Sequence, residues 1–153
     1  MLTLRAHHAD MRLMDRNNEL EVLPREVCLA LLADEEVGRL AVIDGFQPRI
    51  FPVNYAMDDD AIVIRSAAGA KLTLGTRDPV CFEVDHYDRG TREGWSVVVN
   101  GTLQDVNSLS APAMRRGTLT SGVEPWAAGV KDHWLRLETA RMTGRRIGQH
   151  VAD

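Results

Sequence analysis

The sequence predicts a mainly β protein: a closed or nearly closed antiparallel barrel of six strands carrying short helices. Three observations lead there. Short apolar-rich segments recur from residue 39 to residue 142. Turn signals such as Asp44-Gly45 and Asp58-Asp59-Asp60 separate them. The spacings leave too little chain for helical crossovers, which disfavours a parallel sheet. The 153 residues suit one domain with a real core.

The chain divides into an N-terminal arm (residues 1–20), one barrel domain (21–148) and a short C-terminal tail (149–153). In the arm, His7, His8 and Asp10 have no further partners at ligand spacing, so no metal site is expected. Residues 23–36 read as the first helix. Pro24 suits its first turn, Glu26 favours its N-terminus, and Val27, Cys28, Leu31 and Leu32 form an apolar stripe. Gly38 is placed to end it.

Strands follow at 39–43, 49–56 and 61–66. Pro52 in the second argues for an edge or a strand start. The acidic triplet at 58–60 reads as a solvated hairpin tip. A short helix spans 71–77, and the next strands span 80–87 and 95–106. Gly101 in the last of these suggests a barrel bend. Residues 107–121 are weakly helical and 123–131 form an ordered loop. Residues 133–142 make the last strand, after which Gly144-Arg145-Arg146-Ile147 closes the chain. Cys28 and Cys81 sit among apolar residues and read as buried thiols.

Net charge is −4, which supplies no general pull toward nucleic acid or anionic membrane, so any anion site is local. No apolar run reaches membrane-spanning length, and the N-terminus lacks a signal-peptide pattern. The expectation is a cytoplasmic protein.

The chemistry concentrates in FPVNYAMDDDAIVIRSAAGAKL, residues 51–72. Arg65 and Ser66 end a strand, Gly69 gives a permissive loop, and Lys71 enters a helix. Cations, a hydroxyl, loop N–H groups and a helix N-terminus together form a phosphate cradle. The plainer reading makes Arg65 and Lys71 surface charges at a turn and Ser66 a helix cap. Asn54 and Tyr55 also read as solvent-facing strand residues, and Trp95 and Trp126 as core or dimer contacts. His86 and His133 read as structural histidines.

Further stretches complete a pattern: VGRLAV at 37–42, Gly-Ala-Lys at 69–71, FEVDHYD at 82–88, GWSVVVNG at 94–101, PWAAG at 125–129 and HWLRLETARMTGRRI at 133–147. By their order and spacing the chain resembles the pyridoxamine 5′-phosphate oxidase-like split-barrel family that binds flavin mononucleotide (FMN), in particular its short actinobacterial-type members. The resemblance implies an antiparallel split barrel and a homodimer with FMN at the subunit interface. It implies that Arg65, Ser66 and Lys71 hold the phosphate, while Val53, Asn54 and Tyr55 flank the ring or the ribityl chain. Trp95 and Ser96 would meet the isoalloxazine from the partner subunit, and Trp134 and Arg145 would complete the pocket.

The implied activity is an FMN-dependent oxidoreductase acting on a small molecule. The alternative is a non-catalytic carrier of flavin, deazaflavin F420 or haem. Ala70-Lys71 replaces the adjacent basic pair of the oxidases proper, and their terminal arginine segment for pyridoxal phosphate is poorly reproduced. That departs from pyridoxamine 5′-phosphate oxidation itself. No acid or base is assigned, because a flavin carries the hydride chemistry.

Overall fold

A computed structural model describes residues 14–15 and 20–148. Its strands are β1 (Met14–Asp15), β2 (Leu20–Leu23), β3 (Val37–Asp44), β4 (Gln47–Asp58), β5 (Ala61–Ser66), β6 (Val80–Asp88), β7 (Glu93–Gly101), β8 (Gln104–Asp105), β9 (His133–Glu138) and β10 (Arg141–Ile147). Helices α1 (Arg25–Asp34), α2 (Ala70–Arg77) and α3 (Pro112–Leu119) punctuate them. The strands are joined antiparallel in the order β1-β2-β10-β7-β6-β3-β4-β5-β9-β8. The fold is mainly β with short helices, of the split-barrel class.

Strand β4 makes the split. Its first part, through Asn54, pairs with β3, and from Tyr55 onward it pairs with β5. Pro52 therefore lies where β4 has one strand neighbour, and its missing N–H breaks no ladder bond on the open side. Inward-facing residues alternate with period two along β3, β4 and β6, whereas Ala61, Ile62, Val63 and Ile64 of β5 are all buried. Leu40, Val42, Phe82, Val84, Val97 and Val99 from one part meet Ile62, Ile64, Leu135 and Leu137 from the other in one core. Cys28 and Leu32 of α1 plug it.

Several expectations are revised. Helix α1 stops at Asp34, and Gly38 instead lies in β3. A side-chain carbon there would run into the fully buried Phe82 ring, so glycine is required by space rather than as a helix stop. Pro24 is the N-cap and not a first-turn residue. Of the acidic triplet, Asp58 pairs with Arg136 and Asp60 with Arg25 at 3.1 Å, so the hairpin tip is more than a solvated turn.

The strand count rises from six to ten because β1 and β2 add two strands and two segments divide. The segment 95–106 breaks after Gly101, and β8 turns away to pair with β9. The segment 133–142 breaks at Thr139-Ala140. Strand β9 pairs with β5 and β8, whereas β10 pairs with β7 on one side and β2 on the other. The closing segment is thus an interior strand. Leu20 begins β2 and is part of the sheet, beyond the arm expected for it. The expectations for His7, His8, Asp10 and the tail 149–153 lie outside the described residues. No helix among the described residues is long and apolar enough to cross a membrane.

Candidate functional site

Alternation along β4 puts Phe51 on the same face as Val53 and Tyr55. Near the end of the barrel that face opens to solvent, and Phe51 stays half-buried. Two cations address its ring. The Arg49 guanidinium lies 5.3 Å from the centroid and the Lys71 ammonium 5.5 Å. At the end of β5, Arg65 lies over the Trp134 ring at 4.7 Å, because the two residues are opposite in the β5–β9 register. Arg65 Nη2 donates to the Lys131 carbonyl at 3.3 Å, bringing the 120–132 connection onto the same surface. Such cation–aromatic contacts position a charge without neutralising it.

The electrostatics of this surface favour an anion. Burial lowers the pKa of Lys71, and the charge of Lys131 lowers it further. Among the described residues, neither these two lysines nor Arg65 takes part in an ion pair. Arg65 Nε is buried and has no hydrogen-bond partner. A buried donor left unmatched is costly, and an anion supplied from outside would satisfy it. Gly69 precedes α2 with φ +149°, a conformation that disfavours side chains, and no side chain caps the helix.

The other predicted residues divide. Ser66 is 1 % exposed, and its hydroxyl donates to the Ala67 carbonyl, so it neither caps α2 nor presents a free donor. Val53 and Tyr55 point into the core and not to solvent. Tyr55 donates to the Leu32 carbonyl and meets Phe82 edge-on at 5.2 Å, and burial raises its pKa. Asn54 faces outward and accepts from the Trp126 backbone N–H at 2.8 Å. It borders an acidic cleft of about 430 Å³ with Glu35, Glu36, Glu124 and Trp126. Trp95, Ser96 and Arg145 line a separate groove of about 260 Å³ with His86, which stacks on Trp95. Within one chain, then, Arg65, Lys71 and Trp134 come together, while Trp95, Ser96 and Arg145 gather elsewhere.

The model for the family described as pyridoxamine 5′-phosphate oxidase matches residues 24–146. The chain belongs to that family. An uncharacterized protein of Mycobacterium tuberculosis, Rv0080, is 31% identical over 141 residues, covering 88% of each chain. Among solved structures, the FAD-binding protein from Mycobacterium smegmatis superposes with a TM-score of 0.70 at 30% identity, covering 82% of this chain and 98% of its own. An FAD-binding protein from Mesorhizobium loti gives 0.67 at 25% identity, covering 84% and 99%.

Sequence reading of this family member missed Arg49, Phe51 and Lys131. The signal for the first two was present, since they continue the period-two face of Val53 and Tyr55. Lys131 carried none, because it reaches the site from an irregular segment. Among the described residues no group of His, Cys, Asp and Glu is arranged to hold a metal ion. The cradle can bind and orient a phosphate ester against two aromatic walls; it contains no acid–base or nucleophile pair.

Proposed function

We propose that the protein is a flavin-dependent oxidoreductase that seats the phosphate of a flavin nucleotide, with FMN as the simplest such ligand, among Arg65, Lys71 and Lys131. The observation that carries this is the convergence of unpaired cations around Phe51 and Trp134, with the buried Arg65 Nε lacking an acceptor. The FAD-binding relatives at 25–30% identity support the flavin. When bound, a flavin supplies hydride acceptance and release. The chain's own residues bind and orient. Arg65, Lys71 and Lys131 hold the phosphate, and Phe51 and Trp134 wall it.

The site is proposed to be completed by a second copy of the chain. The Trp95–Ser96–Arg145 groove lies apart from the cradle within one protomer, which suits a partner that presents its groove across an interface. The β3–β4 hairpin leaves Ile43, Phe46 and Ile50 exposed, which suits self-association.

The test starts with an absorption spectrum of purified protein and mass spectrometry of the ligand released on denaturation. A flavin spectrum is expected, reduced by a nicotinamide and reoxidised by an acceptor. Bound flavin that never turns over would leave only a carrier. Replacing Arg65 and Lys71 by Ala should weaken FMN by about 10-fold or more per cation and riboflavin little, since a charge-assisted bond contributes about 1.5–3 kcal/mol. Equal loss for both ligands would place the phosphate elsewhere.

A further inference from the structure

We propose that Asn54 is a positioning residue for the phosphate cradle: it fastens the strap 122–132 to β4 and through that strap sets the Lys131 ammonium in the cradle. This rests on the phosphate reading of the cradle and names what holds one of its cations in place. Asn54 stands on the opposite face of β4 from Phe51, so its route to the phosphate runs through the strap.

Little else holds the strap. It forms no helix or strand. Val123 is buried, but from Glu124 to Val130 every residue except the half-buried Pro125 is exposed. Among the described residues, two hydrogen bonds tie 122–132 to the rest of the chain. The Trp126 N–H donates to Asn54 Oδ1 at 2.8 Å, and Arg65 Nη2 donates to the Lys131 carbonyl at 3.3 Å. The Trp126 indole is 72 % exposed, so the anchor is its backbone N–H rather than its ring. Glu36 orients the Asn54 amide, because Nδ2 reaches the Glu36 carbonyl at 3.5 Å and leaves Oδ1 turned to the strap.

The strap in turn carries the charge. Lys131 Nζ donates to the Ala128 carbonyl at 3.4 Å, so the ammonium is fixed to the strap and moves with it. The field of that ammonium reaches Lys71. The path is short: Asn54 to the Trp126 N–H, along the strap to the Ala128 carbonyl, and from there to Lys131. The Arg65 bond fixes the Lys131 carbonyl but not the reach of its side chain. Where so little surface is buried, one hydrogen bond is a large share of what keeps a segment in one conformation.

The experiment is calorimetry of full-length, flavin-stripped protein with FMN and riboflavin, for the native chain, Asn54→Ala, Lys131→Met and the double variant. Lys131→Met should weaken FMN about tenfold, the effect of one lost charge-assisted contact, and leave riboflavin within about twofold. Asn54→Ala should weaken FMN by about three- to tenfold and riboflavin little, since it lowers only the fraction of chains with Lys131 in place. In the Lys131→Met background it should cost FMN nothing further. A residue that merely supported the fold would weaken both ligands in either background. Full FMN affinity in Asn54→Ala or in Lys131→Met would overturn the proposal. So would an Asn54→Ala loss that adds to that of Lys131→Met or falls equally on riboflavin. FMN binding no tighter than riboflavin in the native chain would instead overturn the phosphate reading itself, a distinct result.

Discussion

Lys71 carries its charge in a place that opposes it. Burial and then Lys131 push its pKa below the ordinary 10.5, so its ammonium is given up earlier as pH rises. A phosphate needs that ammonium. FMN affinity should therefore fall as pH climbs through the lowered value, below 10.5, while riboflavin affinity stays flat. Lys71→Arg should abolish the fall, because a guanidinium stays charged. A flat FMN profile in the native protein would remove Lys71 from the site. Folding has the opposite sign: the unfolded chain holds this proton more tightly, so the same group adds stability as pH rises. Gly38 gives a second prediction. Its neighbour Phe82 is fully buried and wedged against Tyr55, so the ring cannot yield. Gly38→Ala should destabilise the protein by about 1–3 kcal/mol by overpacking, read as a lower denaturant midpoint. The need for glycine here was not legible in sequence, because it arises from a ring 44 positions away in the chain.

Strand β9 shows why alternation identifies a strand without giving its surroundings. Leu135 and Leu137 face the core as the period predicts, but Arg136 on the opposite face is buried too. Helix α3 covers it. The guanidinium meets Asp58, donates to Glu138 at 2.7 Å and reaches Thr118 at 3.4 Å. Arg136→Met would strand the Asp58 carboxylate beneath α3. It should cost about 3–5 kcal/mol, the usual range for breaking a buried pair, and Asp58→Asn together with Arg136→Met should recover part of it. Additive losses in that cycle would show that the two residues do not act together. Strands and turns with Gly, Asp or Pro signals were legible at nearly their true positions, as with β5 at residues 61–66. The Thr139-Ala140 turn was not, since neither residue type marks a turn and tertiary pairing alone separates β9 from β10. The cradle was half legible: Arg65 and Lys71 lie in one motif, whereas Arg49 and Lys131 join only once β4 and the 120–132 connection are folded.

For the whole molecule, the proposed homodimer predicts twice the chain mass by light scattering at micromolar concentration. Phe46→Asp together with Ile50→Asp at the exposed hairpin should shift it toward monomer without lowering the core's stability. A native monomer that still binds flavin would remove the shared site and leave the cradle standing. The strand order carries one more consequence, for synthesis. Strand β2 joins the rest of the sheet only through β10, which among the described residues is the strand latest in the chain. Cys28 of α1 also lies against Gly144 of β10. The strands β1 and β2 therefore have no place to dock until β10 has emerged, and this side of the barrel closes only after β10 is made, not progressively from the N-terminal side. Nascent chains stalled before residue 141 should stay protease-sensitive throughout β2, however much of the β3–β7 region has already been made.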